Sequence, residues 1–544
     1  MEGLLSRIDW LIIAGYFLLV FGTAYWATTR EKTTRQTSAG YFLAGRNIGW
    51  FIIGASLFAS NIGSEHLVGL AGTGADSGVA VGQFEILASL ILMILAWVFV
   101  PFYVKSGVFT MPEFLERRYS PASRWYLAII SVIGYVLTKI SVTIAAGGIV
   151  FVSLMGIDFW TGAFIVVIAT GIYTVFGGLR AVLYTDLIQM FMLIAGSVLV
   201  TALGLSALGG WGELRNTMPD SFFSMWLPMD HPDFPWTGIL FGAPILGVWY
   251  WCTDQFIVQR VLSANSIDQS RRGSLFGGLL KVLPLFIFVL PGIIAAALAE
   301  QGKLTLGKPD EALPTMIGVL LPLGLRGIVV ASLLAALMSS LSSVFNSCST
   351  LITWDLYKKW KPQASEQHLV RVGQGATVAL VIAGLLWVPV MENISQEIYK
   401  YLQSVQAYIS PPIAAVFLFG VTTKRINATG AIVSLLSGFV LGMGRLVAEL
   451  SSDHLDGFLF WYANINFLHY AILLFIVCSI ILVVVSYLTQ PPDREQLAGL
   501  TFQTAEEGEG LDIKPSDPRW RHKDIGLSIL IAVLVAAVWL YFTG

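Results

Sequence analysis

Long apolar segments recur along the whole chain and limit the folds that it can adopt. A run of about 20 apolar residues is long enough to cross a bilayer as a helix. Only 12% of the 544 residues are charged, whereas soluble domains carry roughly 25%. The sequence therefore predicts an all-α membrane protein with many spans. We place fourteen, near residues 9–28, 49–72, 79–104, 125–154, 159–177, 182–208, 236–259, 274–299, 325–356, 369–390, 398–420, 426–447, 465–488 and 523–542.

Basic residues are concentrated in every second loop between these segments. Loops rich in Lys and Arg face the cytoplasm in most membrane proteins, so this alternation predicts that both termini lie outside the cell. The formal net charge of -2 gives no indication of a nucleic-acid partner. The basic positions fall near residues 30–46, 105–124, 180, 260–272, 358–371, 424–425 and 494–523.

Two loops and the cysteines carry no predicted chemistry. Residues 110–118 indicate a short interfacial helix with Pro112 near its start. Residues 490–523 are polar and indicate a solvated cytoplasmic linker. The cysteines lie in apolar segments without disulfide or metal-site spacing, and we expect buried free thiols at Cys252, Cys348 and Cys478.

The segment at residues 54–72 is apolar at its ends and polar at its centre. That centre reads Ser-Asn-Ile-Gly-Ser-Glu-His over residues 60–66. Glycine weakens a helix, and ionisable groups at this depth usually face a protein interior or a water-filled cavity. The segment alone leaves two interpretations open: a small-residue packing surface between helices, or a broken helix at a binding site.

A second apolar segment, five spans later, has a similar interruption. We predict a break at Gly242, Pro244 and Gly247. An odd number of spans between two such helices makes the second copy enter the membrane from the opposite side. Paired interrupted helices of this kind indicate the midplane site of a transporter. The repeats would be residues 49–208 and 236–421, preceded by 1–48, separated by an extracellular loop at 209–235, and followed by 422–544 with a linker at 489–522.

A run of serines in the ninth span predicts a cation site. Ser339 and Ser343 are four residues apart and share one helix face. Hydroxyl and carbonyl oxygens are the ligands that small hard cations prefer, and a break near residues 59–62 would free carbonyls. The alternative is that these serines bond back to their own helix. Asp186 is either a cation ligand or a helix-start acid that balances Arg180.

Other polar side chains in apolar spans suggest a polyol ligand. Glu85, Lys281 and Gln403 offer hydrogen-bond donors and acceptors of the kinds that hydroxyl groups need. The aromatic run at residues 249–251 could supply a face for a sugar ring. The alternatives are snorkelling of the lysine to the interface and an interfacial aromatic belt.

Four segments together resemble a known family. Residues 54–72, 249–260, 335–355 and 410–417 are similar to the solute:sodium symporter family, and in particular to its sodium/glucose cotransporter branch. The resemblance extends from about residue 41 to 424. It implies the five-plus-five inverted repeat of the LeuT type, with one extra helix before the repeats and three after them.

The resemblance also implies roles for individual residues. Sodium would be held by three carbonyl groups and two hydroxyl groups. The carbonyls would be those of Ala59, Ile62 and Ala336, and the hydroxyls would be those of Ser339 and Ser340. A second sodium would involve Asp186, Ser342 and Ser343. The sugar contacts would be Asn61, His66, Glu85, Trp251, Lys281 and Gln403. The inner gate would be Tyr250, and the outer lid would be Leu70, Phe84 and Tyr399.

The sequence departs from individual family members at informative positions. A bacterial galactose-transporting relative has Gln in place of His66 and Asn in place of Gly247, and His66 is similar to the animal glucose transporters. The long disulfide-bearing insert of the animal proteins is absent, which favours a bacterial inner membrane. The resemblance implies import of a glucose-type or galactose-type sugar with Na+, and myo-inositol or another polyol is the alternative.

Two other classes of membrane protein fit the sequence less well. A channel needs a continuous polar lining or filter, whereas the polar groups here cluster at two interruptions. An enzyme needs a nucleophile and base or a metal cluster, and the adjacent Glu65 and His66 are the sole candidate. We therefore expect a transporter and not an enzyme. The resemblance assigns no role to Glu65.

Overall fold

A computed structural model describes the chain except for residues 1–3, 31–36, 392–397 and 505–516, and except for the side chains of 149, 387–401, 450, 453 and 518. The described part is helical and contains no strand beyond three isolated bridges. This confirms the predicted all-α class. We number the helices in chain order: α1 Arg7–Thr29, α2 Ser38–Leu43, α3 Trp50–Asn61, α4 65–77, α5 83–106, α6 Met111–Arg118, α7 Pro121–Met155, α8 Phe159–Leu208, α9 Trp211–Thr217, α10 Gly238–Thr253, α11 Gln255–Leu262, α12 Ile267–Glu300, α13 Ala312–Leu320, α14 Leu325–Trp360, α15 Glu366–Met391, α16 Ile398–Thr422, α17 Ala428–Leu450, α18 Gly457–Asn464, α19 Phe467–Leu488, α20 Arg494–Leu497 and α21 Pro518–Tyr541.

Eleven described helical stretches are long and apolar enough to cross a membrane. Two shorter apolar helices, α3 and α10, belong to the interrupted segments. The predicted total of fourteen spans stays a prediction, because α8 covers two of them without a loop. Its 50 residues would extend about 75 Å at 1.5 Å per residue, far beyond a bilayer core of roughly 30 Å.

Gly178 divides α8 at the predicted boundary between these two spans. Its backbone has φ 58° and ψ -160°, which is not helical. A Cβ atom built on this residue would lie 2.5 Å from the carbonyl oxygen of Tyr41. Glycine is therefore required here both by the backbone conformation and by the close approach of α2.

The first interrupted helix breaks close to the predicted position. Helix α3 ends at Asn61, Ile62 is extended with φ -82° and ψ 93°, and α4 begins at Glu65 with a π-turn. The last carbonyl groups of a helix lack intrahelical donors. The break therefore leaves backbone oxygens in the middle of the protein.

The second break lies elsewhere than predicted. Gly242, Pro244 and Gly247 are all inside α10, and the chain turns out of the helix at Asp254, which has φ -79° and ψ 130°. A π-turn at Gly238–Gly242 widens the helix just before the proline, which lacks an N–H group. Gly242 permits close packing, because a Cβ there would lie 2.4 Å from the carbonyl oxygen of Leu468.

The interrupted helices lie at the centre of the bundle. Helix α3 packs along α12, and α8 packs along α14 and α1. Nearly all of α14 is buried, whereas α1, α17 and α19 expose many apolar side chains. This arrangement leaves a polar interior surrounded by helices with lipid-facing surfaces.

The smaller loop predictions have mixed outcomes. The interfacial helix is confirmed as α6, whose N-cap Thr110 accepts a hydrogen bond from the Glu113 amide. The cysteines are confirmed as free and buried. The polar segment at 490–523 is only partly a solvated linker, because Leu497 is buried and the Gln496 side chain donates to the Tyr119 carbonyl at 2.9 Å.

We expect the substitution Gly178→Ala to destabilise the protein. An L residue in this backbone region costs about 1–3 kcal/mol, and the added methyl group would collide with α2. Thermal unfolding of the purified protein in detergent measures the effect. The matched control is Gly15→Ala, since Gly15 is exposed within α1 and no atom lies within 4 Å of its added Cβ. Equal melting temperatures for the two variants would contradict the prediction.

Candidate functional site

A cavity lies beside the break between α3 and α4. The cavity is enclosed by α5, α7, α10 and α16 as well as by the break. Its lining consists of Asn61, His66, Phe84, Glu85, Leu87, Ala88, Ile91, Lys139, Ala243, Leu246, Gly247, Tyr250, Trp251, Leu402, Gln403 and Gln406.

A buried ammonium group joins three helices next to this cavity. Lys281 is fully buried, and its Nζ donates hydrogen bonds to the Asn61 Oδ1 and to the Glu85 carboxylate. Burying a charge is costly unless it is paired and hydrogen-bonded. Helix α12 turns at this lysine, and Pro284, three residues later, offers no backbone N–H. The snorkelling alternative is therefore wrong.

The hydroxyl of Tyr250 is held between two side chains. Asn61 Nδ2 donates to it at 3.0 Å, and Lys139 Nζ donates at 2.9 Å. The Lys139 ammonium also lies 4.5 Å from the centre of the Tyr250 ring, within the range of a cation–π interaction. The Asn61 side chain thus accepts from Lys281 of α12 through its oxygen and donates to Tyr250 of α10 through its nitrogen.

Lys139 was not among the residues predicted from the sequence. It lies in α7 and is buried, with 4% of its surface exposed. The available signal was a single lysine in the middle of an apolar span, which usually marks a functional position. Gln406 also lines the cavity and was not predicted, although it lies one helical turn after Gln403 in α16.

His66 lies between two carboxylates. Its Nδ1 is 3.6 Å from the Glu65 Oε1, and its Nε2 is 3.8 Å from the Glu85 Oε1. Thr143 donates to the other Glu65 oxygen at 3.1 Å, and the Ser64 hydroxyl donates to the Thr143 carbonyl at 2.8 Å. Glu65 therefore links the start of α4 to α7 and to the imidazole.

The remaining predicted sugar contacts also line the cavity. Gln403 of α16 and Trp251 of α10 are both in its lining. The Lys281 ammonium lies 5.4 Å from the centre of the Trp251 ring. Five of the six predicted contact residues thus line one cavity, and the sixth, Lys281, bonds to Asn61 and Glu85 of its lining. The sequence distributes the six over more than 340 positions.

The residues predicted as gates lie in different environments. Tyr250 and Phe84 line the cavity. The Phe84 ring stacks on Phe467 at 6.4 Å and meets Phe234 edge-on at 6.1 Å. Leu70 is fully buried but does not line the cavity. The side chain of Tyr399 lies outside the described residues.

The predicted sodium ligands lie where α3 ends against α14. The Ser340 hydroxyl donates to the Ser60 carbonyl at 3.0 Å. The Ser339 hydroxyl instead donates to the Asp186 Oδ1 at 2.9 Å. The three residues predicted to contribute carbonyls are fully buried, two in these helices and Ile62 just after the end of α3: Ala59, Ile62 and Ala336. Carbonyl and hydroxyl oxygens suit a hard monovalent cation.

Asp186 is the centre of a polar network in the middle of α8. Its carboxylate accepts hydrogen bonds from Ser56 at 2.5 Å and from Ser60 at 3.0 Å, besides that from Ser339. Arg260 of α11 lies 3.9 Å away and donates to the same two α3 serines. This position rules out the helix-start interpretation. Arg260 was a further residue that the sequence analysis missed.

The two other residues predicted for a second sodium point to different partners. The Ser342 hydroxyl bonds back to the Ser339 carbonyl at 3.0 Å, as the alternative interpretation expected. The Ser343 hydroxyl lies 3.1 Å from the Ser60 hydroxyl. The network therefore brings Asp186 and Ser343 to the same serine of α3, whereas Ser342 faces its own helix.

Comparison with protein families identifies the chain. The family model described as "Sodium:solute symporter family" matches residues 41–438. The chain belongs to this family. Its members are symporters, so the chain is a sodium-coupled symporter of the membrane. The matched region contains all the residues discussed above as cavity or cation-site residues.

Several curated proteins are similar over most of the chain. Sodium/glucose cotransporter 1 of Ovis aries is 38% identical over 95% of this chain and 84% of its own length. Sodium/glucose cotransporter 4 of Homo sapiens is 38% identical, with 92% and 79% covered. The sodium/myo-inositol cotransporter of Homo sapiens is also 38% identical, with 92% and 76% covered.

Solved structures share the fold. A Na+-coupled sialic acid symporter in a substrate-bound outward-open state matches with a TM-score of 0.78 and 22% identity, over 90% of this chain and 99% of that one. A nucleobase-cation-symport-1 family transporter in a closed conformation matches with a TM-score of 0.51 and 15% identity, over 84% and 96%. The predicted LeuT-type transporter fold is confirmed.

We expect Glu85→Gln to destabilise the protein more than the double substitution Glu85→Gln with Lys281→Met. The single change leaves a buried ammonium without its carboxylate, which costs roughly 3–5 kcal/mol in buried ion pairs. The double change removes both charges and keeps similar side-chain volumes. Thermal unfolding in detergent compares the variants, and a single variant as stable as the double one would contradict the assigned ion pair.

Proposed function

We propose that the chain imports a glucose-type or galactose-type monosaccharide together with Na+ by alternating access. The proposal is supported by the curated relatives named as sodium/glucose cotransporters. It is also supported by the chemistry of the cavity, which combines a carboxylate, amides, ammonium groups, an imidazole and aromatic faces. Each sugar hydroxyl both donates and accepts, and this set can serve both roles.

The position of Asn61, between the cavity and the proposed sodium site, is the single observation that carries the proposal. Its side chain contacts Lys281 and Tyr250 at the cavity. Its backbone lies between Ala59 and Ile62, whose carbonyls face the proposed sodium site. A cation that fixes the end of α3 therefore also fixes a sugar-contacting side chain, which is the physical basis for coupling the two fluxes.

The proposed contacts divide the sugar between polar and aromatic surfaces. Glu85 and Gln403 accept and donate hydrogen bonds, His66 adds an imidazole, and Trp251 offers a ring face. Lys281 pairs with Glu85 and orients it beside the ligand. Tyr250 closes the cavity towards the cytoplasm, and Phe84 with Leu70 and Tyr399 closes it on the outer side.

The proposed sodium site joins the end of α3 to α14. Its ligands are three carbonyl oxygens and two hydroxyl oxygens. The carbonyl oxygens are those of Ala59, Ile62 and Ala336, and the hydroxyl oxygens are those of Ser339 and Ser340. The Ser339 hydroxyl can donate to Asp186 and still offer an oxygen lone pair to the cation. A second sodium would use Asp186 with Ser343 and Ser342, of which Ser342 would have to turn from its own helix.

Known driving forces are sufficient for accumulation with one sodium ion. Moving one charge through 100 mV supplies about 2.3 kcal/mol, and a tenfold sodium gradient adds roughly 1.4 kcal/mol. These two contributions together support a sugar gradient on the order of a few hundred-fold. No covalent chemistry is required.

The membrane setting follows from the distribution of charge. We propose that the chain resides in the cell's plasma membrane, the inner membrane if the cell is bacterial, with its basic loops in the cytoplasm and both termini outside. The inverted repeats would span residues 49–208 and 236–421. Their first helices would be the two interrupted segments, α3 with α4 and α10 with α11.

Myo-inositol is the second candidate substrate. The human sodium/myo-inositol cotransporter is as similar to this chain as the human glucose relative is. Both ligands present a ring of hydroxyl groups, so the cavity chemistry suits either. The substrate is decided by uptake of labelled glucose, galactose and myo-inositol into proteoliposomes with an imposed sodium gradient.

Substitution of a proposed contact should abolish this uptake. We expect Gln403→Ala to reduce sodium-driven sugar uptake at least tenfold, because a ligand hydroxyl loses its amide partner. Gln374→Ala is the control, since this amide bonds to the Val175 carbonyl outside the cavity. Retained affinity in the Gln403 variant would contradict the proposed contact, and absence of uptake in the wild type for every polyol would contradict the function.

Removal of one proposed sodium ligand should weaken sodium dependence. We expect Ser340→Ala to raise the sodium concentration for half-maximal uptake about tenfold, which corresponds to roughly 1.4 kcal/mol of binding energy. Ser332→Ala is the control, because this buried serine of the same helix bonds back to the Val329 carbonyl. An unchanged sodium dependence in the Ser340 variant would rule out this ligand set.

A further inference from the structure

Arg260 places a fully buried positive charge among the groups proposed to bind sodium. Its Nε donates to the hydroxyls of Ser56 at 2.9 Å and of Ser60 at 2.8 Å, and its Nη2 lies 3.9 Å from the Asp186 Oδ2. The Ser60 hydroxyl also lies 3.1 Å from that of Ser343, a proposed ligand of the second sodium. The guanidinium and a sodium ion bound at Asp186 would therefore be close neighbours of like charge.

The pairing of Arg260 with Asp186 is loose. Their separation of 3.9 Å is too long for a hydrogen bond, which joins nitrogen and oxygen at about 2.7–3.2 Å. Among the described residues, no acceptor lies within hydrogen-bonding distance of the Arg260 Nη2. A buried donor without a partner is costly, so the guanidinium would gain a hydrogen bond by turning to another acceptor.

Asp254 offers such an acceptor at the start of the same helix. Its Oδ1 caps α11 by accepting from the Phe256 amide at 3.1 Å, whereas its Oδ2 accepts from no donor in the part of the chain that the structure describes. The Arg260 side chain folds back along α11, because its Nη1 donates to the Phe256 carbonyl. Both side chains thus contact Phe256, and Arg260 interacts electrostatically with Asp254 as well as with Asp186.

The charges of these three side chains are balanced by one further cation. Asp186, Asp254 and Arg260 are buried, with at most 4% of their surface exposed. Two carboxylates and one guanidinium together carry one net negative charge, which one sodium ion neutralises. Because an unpaired buried charge is costly, sodium at Asp186 and the guanidinium at Asp254 would leave each carboxylate with its own cation.

We propose that Arg260 is a tethered counter-ion that changes partner during transport: it accompanies Asp186 before sodium binds there, and it turns to Asp254 when sodium arrives. The inference rests on the sodium site of the proposed function and not on the identity of the sugar. Repulsion between like charges a few Å apart in a protein interior drives the turn. The hydrogen bond from Nη1 to the Phe256 carbonyl is the pivot, so that a small rotation suffices.

This change of partner would connect sodium binding to both interrupted segments. At Asp186 the guanidinium holds Ser56 and Ser60 of α3, and at Asp254 it would release them. Asp254 is the residue at which the second segment leaves its helix and α11 begins. Arg260 is therefore a positioning residue, which acts on the sodium site without being a ligand of the ion.

The test measures sodium binding to the purified protein in detergent, without sugar. The melting temperature is followed while sodium replaces choline at constant ionic strength, which gives the sodium concentration for half-maximal stabilisation. We expect Asp254→Asn to raise this concentration at least about fivefold, because the displaced guanidinium loses a charged partner. The variant keeps the Oδ1 acceptor, so the helix cap stays intact. An unchanged concentration would overturn the proposal.

The matched control is Asp158→Asn. Asp158 is exposed and caps α8 by accepting from the Thr161 amide at 3.1 Å, so the same change of a capping residue should leave sodium binding as it is. For Asp254→Asn, the half-saturating sugar concentration at saturating sodium should change less than about twofold. An equal loss of sugar and sodium affinity in this variant would indicate general distortion and would overturn the proposal.

A double-mutant cycle separates a change of partner from a simple loss of negative charge. Arg260→Gln should lower the sodium concentration for half-maximal stabilisation, because it removes a competing charge. In that background Asp254→Asn should change the value less than about twofold, since no guanidinium remains to be received. An equal effect of Asp254→Asn in both backgrounds would show that Asp254 acts through its charge alone and would overturn the counter-ion role.

Structures of the wild-type protein test the same idea without any variant. In sodium, the guanidinium should lie within hydrogen-bonding distance of the Asp254 carboxylate, and in choline it should lie beside Asp186. The same partner in both conditions would refute the change of partner. Absence of polyol uptake by the wild type would instead overturn the proposed function, and the sodium titration without sugar distinguishes the two failures.

Discussion

The structure depends on a helix that stops in the middle of a membrane protein. Hydrocarbon offers no donors to the free carbonyl groups at the end of α3, so such a break is tolerated only where protein or a bound ion satisfies them. Every element that surrounds the break supplies polar groups. Helix α14 brings a hydroxyl to the Ser60 carbonyl, α8 brings a carboxylate to two serines, and α12 brings an ammonium to Asn61.

Buried charges are arranged in compensating pairs around this break. Lys281 faces Glu85, and Arg260 approaches Asp186. Removing one member of such a pair is far more costly than removing both. The polar interior therefore restricts how the sequence can change, while α1, α17 and α19 need only remain apolar towards the lipid. The fold is held by packing, and its central geometry is held by these pairs.

Much of the architecture could be predicted from the sequence, because membrane spans follow from apolar length alone. The break at Asn61 was also predictable, since Ser, Asn, Gly, Glu and His are all poor residues for a lipid-facing helix. The second break was not. Gly242 and Pro244 look like helix breakers, but a π-turn and the close approach of α19 keep them helical, and such tertiary adjustments leave no local signal.

The candidate site was predicted less completely than the fold. The family resemblance assembled the sugar contacts alone from six helices, which no periodicity could have done. It assigned no role to Glu65 or Lys139, although each is a buried charge in an apolar span, nor to Arg260, which the sequence places at the start of a basic loop and the structure buries. Their partners come from distant segments, such as Thr143 for Glu65 and Tyr250 for Lys139, and those pairings exist only in three dimensions.

Tyr250 is held by Asn61 and by Lys139, and all three residues line the cavity. To swing away, the phenol must give up a hydrogen bond from an amide and another from an ammonium, and the latter kind contributes about 1.5–3 kcal/mol. A polyol in the cavity brings hydroxyls that can accept from the same two donors. Binding of the ligand should therefore ease the movement of Tyr250. Sodium alone should then pass through the transport cycle far more slowly than sodium accompanied by its ligand.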